Sequence, residues 1–348
     1  MMKKLLILIL CLVPVYAEAT VHLYVNTDTG GLKSCFDPGA NACSQLNWAI
    51  AKIPAQITES YIIHVKGSKA DTRGVYFPDK GSTSANTITI QTDPADRHSG
   101  KWDETKYRLE ITDTNGFTIN GSYIYIDGLQ MKLMANTAGY KNLISTSSTA
   151  RGTITVSNSI FWGVITPGLK DTLGFHGNRN HISYLYNNIF YGFNGAGDHY
   201  AMDILAEGYV YNNTTIDCDI GIRAASNDNI VAKNNVFINP RPGFSMWGRD
   251  SYVTEFAAGS DYNSTNDTTL GYVVHGGYGG HDKVGISTLN LFKDAANHDY
   301  HWNQGATQDV LRSGVVDPGA SLFSTDIDGT TRLGPWDRGA DQIDPICY

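Results

Sequence analysis

The chain has 348 residues, of which 41% are hydrophobic and 17% charged, and its net charge is −8. A chain of this size can bury a substantial core, either as one large domain or as two smaller ones. The acidic balance excludes a general attraction to nucleic acid or to anionic membrane surfaces. An acidic polysaccharide remains open as a partner, because a local basic site can act against the overall charge.

The first 19 residues have the pattern of a secretory signal peptide (1–19). Two lysines precede an apolar run over 5–13, and small-residue cleavage sites end at Ala17 and Ala19. The run is far shorter than the ~20 residues of a membrane-spanning helix, so we expect no membrane insertion. We predict a protein that is secreted to the extracellular space or the periplasm. Its single mature domain is predicted to span 20–348.

Four cysteines remain in the mature chain, and export permits them to form disulfides. Cys35 and Cys43 bracket a short loop, and we pair them. This leaves Cys218 for Cys347, a bond that would staple the C-terminus to the body of the domain. Four cysteines allow three pairings, and a buried free thiol at Cys218 is the open alternative.

The segment 44–55 (SQLNWAIAKIPA) is the best helix candidate in the chain. Ser44 is suited to the N-cap position, and the apolar residues recur at helical spacing on one face. The residues on that face are Leu46, Ala49, Ile50 and Ile53. A strand is predicted directly after it, over 61–65.

The middle of the chain repeats one phrase, in which a turn-forming Asn separates two strand-like segments. The copies are centred on Asn158, Asn187, Asn212 and Asn234, at spacings of 29, 25 and 22 residues. Such a period suits a coil of three short strands and three turns. Alternation with a period of two places the residues two before and two after each Asn on the inward side. The residues before are Val156, Leu185, Val210 and Ala232, and those after are Ile160, Ile189, Thr214 and Val236.

The repeated Asn has a physical role at a turn, because Asn tolerates left-handed backbone and hydrogen-bonds locally. Stacked Asn side chains would also bond along the coil axis and satisfy buried amides. One coil cannot bury its own apolar side, so several coils must stack, with the helix at 44–55 capping the open N-terminal end. We predict an all-β parallel β-helix, a solenoid. Its residues 250–348 form irregular C-terminal coils, loops and a tail.

The chain resembles the pectate-lyase-like right-handed β-helix superfamily. The resemblance rests on the capping helix, on the Asn-turn coils and on an ending similar to a tail common in secreted bacterial β-helix proteins. It covers nearly all of the mature chain and implies a right-handed coil. It is specific for the fold and weak for function, because this fold carries lyases, hydrolases, epimerases and adhesins. The ending comprises Asp326–Arg332 (DIDGTTR) and Trp336–Asp341 (WDRGAD).

A second phrase follows the Asn turn in four coils: a small residue, an apolar one and a variable one. If the apolar member points inward, the variable member points outward. Adjacent strands lie ~4.8 Å apart, so outward members of neighbouring coils can touch. A His, a carboxylate and a guanidinium in one row indicate a catalytic site, with a surface ion-pair ladder as the structural alternative. The four outward members are His176, Asp203, Arg223 and Ser245.

In the catalytic interpretation, the planar fork of Arg223 binds a uronate carboxylate and thereby acidifies the proton on the adjacent carbon. His176 removes that proton as general base, since imidazole titrates near neutral pH. Asp203 holds His176 or Arg223 in place, or shares a cation. The reaction is a β-elimination, which defines a polysaccharide lyase acting on an acidic polysaccharide.

Polar and aromatic residues near this row are candidates for substrate binding, since Tyr and Trp rings suit the apolar faces of sugars. Capping of Gly-rich turns is the structural alternative for the Asp and His among them. The candidates are Arg179, Asp198, His199, Tyr200, Ser245, Trp247 and Arg249.

Two further function classes stay open. A glycoside hydrolase needs two carboxylates flanking the scissile bond, which Asp198 with Asp203, or Asp217 with Asp219, would supply. An epimerase is a related option. A non-catalytic adhesin, or a surface protein of a cell or virion, would show a flat face with ordinary exposed charges. An enzyme would show His176, Asp203 and Arg223 within about 5 Å of one another in a groove walled by loops.

The sequence predicts no metal-binding residue. The segment 326–329 resembles part of a calcium loop, but the remaining ligands at fixed spacing are missing, and a structural turn is the better interpretation. His275 and His281 flank a Gly-rich loop without a third ligand at diagnostic spacing. The resemblance to pectate lyases nevertheless implies Ca²⁺ as a possible cofactor.

Overall fold

In a computed structural model, the chain forms a right-handed parallel β-helix, as the sequence predicts. No helix among the described residues is long and apolar enough to cross a membrane. Apart from Ala19, the predicted signal peptide lies outside the described residues. The structure describes residues 19–29, 34–169, 171–195, 197–224, 230–248, 256–271, 279–303 and 311–343.

Three parallel sheets run the length of the described solenoid, and successive strands of the chain pass from one sheet to the next. Sheet I contains β1 (Thr20–Asn26), β2 (Ser60–Lys66), β5 (Ile88–Gln91), β8 (Ile124–Asp127), β11 (Thr153–Ser157), β14 (Ile182–Tyr186), β17 (Gly208–Tyr211) and β20 (Ile230–Lys233). Sheet II contains β4 (Val75–Phe77), β7 (Phe117–Ile119), β10 (Lys141–Thr146), β13 (Thr172–Gly177), β16 (Tyr200–Ile204), β19 (Ile220–Ala224) and β22 (Met246–Gly248). Sheet III contains β3 (Ala70–Asp71), β6 (Arg108–Thr112), β9 (Gln130–Ala135), β12 (Ile160–Ile165), β15 (Ile189–Tyr191), β18 (Thr214–Ile216), β21 (Val236–Ile238) and β23 (Ser264–Thr265).

The remaining described elements lie at the two ends of the chain and in one loop. Near the N-terminus stands the helix α1 (Leu46–Lys52). Near the C-terminus, β24 (Phe292–Asp294) and β25 (Asp299–Trp302) form an antiparallel pair. Short 3₁₀ segments occupy Pro94–Asp96 and Ala295–Asn297.

The residues that precede each Asn turn fill the core, as predicted. Val156, Leu185, Val210 and Ala232 are all fully buried in the main hydrophobic cluster. The prediction for the residues after the turn is wrong. Ile160, Ile189 and Val236 point away from the main core and belong to a second cluster that packs against the C-terminal segment.

A change of backbone at the Asn explains this difference. Asn158, Asn187, Asn212 and Asn234 have φ between 47° and 58°, in the left-handed region. Such a residue bends the chain and breaks the strict alternation of an extended strand. The next residue along each strand of sheet III therefore enters the core, and these residues include Phe161, Phe190 and Phe237.

The Asn residues stack in register along the coil axis. Asn187 donates to Asn158 and Asn234 to Asn212, each at 3.2 Å. A second row, one position later in the chain, forms a buried ladder in which each side-chain oxygen accepts the backbone N–H of the coil before it, at 3.0–3.1 Å. These bonds satisfy amides that would otherwise be buried without partners. The second row comprises Ser159, Asn188, Asn213, Asn235 and Asn263.

The helix α1 lies within the predicted segment 44–55 but is shorter, and its buried residues Leu46, Ala49 and Ile50 join the main core. The prediction of Ser44 as N-cap is wrong. The N-cap position is Gln45, and the backbone N–H of Leu46 donates to a carboxylate oxygen of Asp71 at 3.0 Å. A neighbouring coil therefore caps the helix, which sequence spacing does not reveal.

The described cysteines form one disulfide and leave one buried free thiol. Cys35 and Cys43 form the predicted disulfide. Cys218 is a free, buried cysteine whose sulfur approaches the carbonyl oxygen of Ile216 at 3.4 Å. This matches the alternative raised from the sequence, and the suggested pairing with Cys347 is wrong; Cys347 itself lies outside the described residues.

The C-terminal tail packs against sheet III through two arginines that are almost wholly buried. Arg332 donates to the side chain of Asn187 at 3.0 Å and to several carbonyl oxygens of the tail itself. Arg338 donates to the carbonyl oxygen of Asn263 and the hydroxyl of Ser264, at 3.0 and 2.9 Å. The DIDGTTR–WDRGAD ending thus fastens the irregular C-terminal part of the chain to the Asn turns.

Candidate functional site

The predicted row of polar residues forms on the outer face of sheet II. Phe175, Met202 and Ile222 are aligned in register and buried in the core. The residue that follows each of them therefore projects outward, on three adjacent strands. These residues are His176 on β13, Asp203 on β16 and Arg223 on β19, and they too are in register.

The side chains of this row are hydrogen-bonded to one another. Nδ1 of His176 lies 2.8 Å from Oδ2 of Asp203. Because a carboxylate only accepts, this contact makes Nδ1 the protonated nitrogen and Nε2 the lone-pair nitrogen of the neutral ring. The His176 side chain is 21% exposed, whereas Asp203 has no exposed surface. The arrangement presents a basic nitrogen on the outer face, oriented by a buried carboxylate.

Arg223 balances the buried charge of Asp203. Its Nε and Nη2 donate to the two carboxylate oxygens, each at 2.6 Å, and its Nη1 donates to the hydroxyl of Tyr200 at 2.9 Å. Burial by itself would lower the pKa of Arg223, but the bonds and charge of Asp203 outweigh it and raise that pKa. A guanidinium has five N–H donors, and Asp203 and Tyr200 use three of them.

The fourth predicted member of the row, Ser245, does not join it. Trp247 on β22 (Met246–Gly248) takes the position next to Arg223. Ser245 is fully buried and bonds to the hydroxyl of Thr265 at 2.9 Å. The prediction for Ser245 is wrong because Gly243-Phe244-Ser245 matches the phrase in the loop before β22 and not on the strand.

An apolar surface lies beside the polar row, on the same outer face. The ring of Tyr200 lies nearly parallel to that of Trp247, with centroids 6.4 Å apart, and Trp247 contacts Phe244 at 5.5 Å. The guanidinium carbon of Arg223 lies 4.3 Å from the centre of the Tyr200 ring. Burial, foremost, raises the pKa of Tyr200 to about 12, so its hydroxyl stays protonated. We call Tyr200, Trp247 and Phe244 the aromatic floor.

The other sequence-predicted residues are dispersed. Asp198 is partly exposed and pairs with Arg241 at 3.0 Å. His199 is buried, with Nδ1 bonded to the Thr172 hydroxyl at 2.6 Å and Nε2 to the carbonyl oxygen of Leu169 at 3.0 Å. Burial lowers the pKa of His199 and keeps it neutral between these partners. Arg179 is exposed in the turn after β13, and Arg249 lies outside the described residues.

Two residues of this surface, Arg241 and Phe244, were not predicted as site residues from the sequence. The guanidinium of Arg241 lies 4.0 Å from the centre of the Phe244 ring. The nearby carboxyl of Asp219 is buried, and burial, foremost, raises its pKa to about 6. Arg241 and Phe244 lie in a Pro- and Gly-containing loop between β21 and β22. No periodicity marks which way such a loop folds, so only the structure brings them to this face.

A second polar cluster lies at the C-terminal end, around a cavity of about 390 Å³. Within the described part of the chain, His301, Asp328 and Asp341 form the group whose potential ligand atoms, within 4.8 Å of one another, could hold a metal ion. Burial would lower the pKa of His301, but the bonds and charges of Asp328 and its neighbours raise it to about 9. The imidazolium therefore bridges Asp328, at 2.9 Å, and Asp299.

Within this cluster, the predicted structural turn is present at 326–329. The carboxylate of Asp326 accepts the backbone N–H groups of Asp328 and Thr330 at 3.0 and 2.8 Å. The side chain of Asp326 therefore closes the turn that the DIDG motif predicted.

Comparison with known proteins adds little to this site. No family model matches the sequence, and no curated protein does. The crystal structure of the pectate lyase Pel9A aligns with 93% of this chain and 96% of its own, at 12% sequence identity and a TM-score of 0.30.

Proposed function

We propose that the protein is a secreted polysaccharide lyase that cleaves an acidic polysaccharide by β-elimination at the outer face of sheet II. The observation that carries the proposal is the His176–Asp203 pair. With Nδ1 bonded to Asp203, Nε2 is the ring nitrogen left to act as a base on the outer face of sheet II, where the His176 side chain is 21% exposed. The Cys35–Cys43 disulfide is consistent with an oxidising compartment outside the cytoplasm.

Each residue of the row has a role in this reaction. His176 removes the proton from the carbon next to the uronate carboxylate. The electron pair of that C–H bond forms a C=C bond as the glycosidic C–O bond at the β-carbon breaks, and the leaving oxygen takes up a proton from solvent. Asp203 orients the ring and stabilises the imidazolium that forms. Arg223 fixes Asp203 and presents its remaining N–H donors to the substrate carboxylate, whose charge it offsets. The partly exposed ring of Trp247, which lies parallel to the buried ring of Tyr200, provides a surface on which a sugar ring can stack.

The geometry favours an enzyme over an adhesin. An adhesin needs exposed contact groups, and a fully buried carboxylate is of no use to it. Burying the Asp203 carboxylate to orient a partly exposed His costs folding free energy unless its charge is compensated, and Arg223 supplies that compensation. The buried Asp203–Arg223 ion pair thus holds the imidazole of His176 in place.

The proposal is tested by incubating the protein with pectate, alginate, chondroitin and hyaluronan and measuring the ultraviolet absorbance of new unsaturated ends. We expect activity on at least one substrate and a loss of at least about 10²-fold in His176→Ala. His281→Ala is the matched control, because His281 is also paired with an aspartate, Asp261, at 2.7 Å but lies away from sheet II. Cleavage that survives in His176→Ala contradicts the assigned base. Binding without cleavage in the wild type favours the adhesin.

A further inference from the structure

Arg241 is linked to the proposed catalytic row through an unbroken series of contacts. Its guanidinium covers Phe244, which contacts Trp247, which in turn lies parallel to Tyr200. Tyr200 holds Arg223, the last residue of the row. The aromatic floor therefore has a guanidinium stacked on an aromatic ring at each end.

The apolar residues under this surface are unusual for the outside of a solenoid. Leu173, Tyr200 and Ile220 form a small buried cluster on the outer face of sheet II, with Phe244 and Trp247 packed against it. Outward positions of a β-helix face water and are ordinarily polar. A contiguous apolar strip flanked by charged groups is typical of a ligand-binding surface.

Arg241 is held less firmly than Arg223. Its partner Asp198 is 46% exposed, and Arg241 itself is 34% exposed. Exposed ion pairs of this kind contribute little, so a competing anion can displace Asp198 at small cost. Arg223, in contrast, is tied to a carboxylate with no exposed surface. The two arginines thus suit different tasks, since one is fixed and the other can exchange its partner.

We propose that Arg241 binds an acid group of the polysaccharide at the far end of the aromatic floor, and that Asp198 occupies it when no substrate is bound. This inference rests on the proposed function and identifies the ligand class as a polyanionic glycan with a carboxylate or sulfate some sugars away from the cleaved bond. Strands advance about 3.3 Å per residue, and Arg241 bonds to the backbone of Asp219, four residues before Arg223. The backbone of Arg241 therefore lies roughly 13 Å from that of Arg223 along the strand direction.

Binding is measured by titration calorimetry in a His176→Ala background, so that the probe is not consumed. The probes are oligosaccharides of pectate, alginate, chondroitin and hyaluronan. We expect Arg241→Met to weaken binding of the preferred probe roughly tenfold, as for loss of a charged hydrogen bond, and to reduce its salt dependence. Arg241→Lys should restore part of the affinity. Arg151→Met is the matched control, because the Arg151 side chain is exposed and its guanidinium donates to carbonyl oxygens of its own turn.

The direction in which Asp198→Asn changes the binding affinity tests whether Asp198 competes with the substrate. If Asp198 competes with the substrate, removing its charge tightens binding; if Asp198 itself contacts the sugar, binding weakens and the inference is overturned. Affinity that is unchanged in Arg241→Met also overturns it. Arg241-dependent binding without cleavage by the His176-containing protein rejects the proposed lyase and leaves this recognition site standing. Cleavage that depends on His176, together with affinity that does not depend on Arg241, supports the proposed lyase and overturns the recognition site at Arg241. No binding of any acidic probe rejects both.

Discussion

Asp203 and His176 are 27 residues apart in the chain, yet their side chains are joined by a 2.8 Å hydrogen bond. The bond forms because β13 and β16 are adjacent parallel strands in which these two residues are in register. The carboxylate is wholly buried, and Arg223 on the next strand holds both of its oxygens. The outer face of sheet II therefore has an imidazole whose orientation is fixed by residues of three consecutive coils.

The orienting role of Asp203 predicts a strong effect of Asp203→Asn. The amide preserves size but presents an N–H or a neutral oxygen to His176, so the ring loses the partner that fixes its tautomer and stabilises the imidazolium. We expect kcat to fall by roughly 10²–10⁴-fold, measured as unsaturated ends on the best substrate. Near-ultraviolet circular dichroism should show that the fold is retained. An unchanged kcat would mean that Asp203 only anchors Arg223.

The aromatic floor predicts a different kinetic effect for Trp247→Ala. Trp247 is half-buried at the position next to Arg223 and carries no group that takes part in proton transfer. Loss of a stacking surface weakens ground-state and transition-state binding alike, so KM should rise about fivefold while kcat stays nearly constant. Tyr140→Ala, which removes a ring that is 74% exposed and outside the floor, serves as the control. A fall in kcat at constant KM would argue against simple stacking.

The buried Asn ladder predicts a large loss of stability for Asn213→Ala. The side chain of Asn213 accepts the backbone N–H of Asn188 at 3.0 Å and donates to the carbonyl oxygen of Leu185 at 2.9 Å. Its removal leaves buried backbone groups of neighbouring coils without partners, and we expect the free energy of unfolding to fall by about 2–4 kcal/mol. Urea denaturation measures the change. Asn239→Ala, at an exposed turn, should cost far less.

The raised pKa of His301 predicts that the free energy of unfolding falls at alkaline pH. Its pKa is raised from 6.5 to about 9 in the folded chain, so folding favours the protonated ring. The resulting stabilisation, of order 3 kcal/mol, is complete below pH 6.5 and is lost as the pH rises to about 9. We expect the Tm of the wild type to fall across this window and that of His301→Gln to fall less. Parallel Tm curves for the two proteins would show that other groups cause the alkaline loss.

Much of the polar row on sheet II could be predicted because residues at matching positions of successive solenoid coils come into lateral contact. Once the phrases at Phe175, Met202 and Ile222 are aligned, the contact among the three residues that follow them is forced by the register of the strands. The prediction failed at Ser245 because the residues that match the phrase there lie in the loop before β22, and the strand itself brings Trp247 next to Arg223. Arg241 was missed altogether, since a loop residue has no periodic neighbour from which its direction can be inferred.

The sequence by itself determined the coil. Left-handed Asn turns and alternating apolar residues leave a parallel β-helix as the way to bury every coil, and they fix which side chains of neighbouring strands meet. Only the tertiary structure decided where each loop and the C-terminal segment pack. Such segments bend at backbone angles that many residues can adopt, and their positions depend on contacts with distant parts of the chain. The cap that Asp71 provides for α1, the packing of the tail against Ile160 and Ile189, and the pairing of Arg241 with Asp198 are all of this kind.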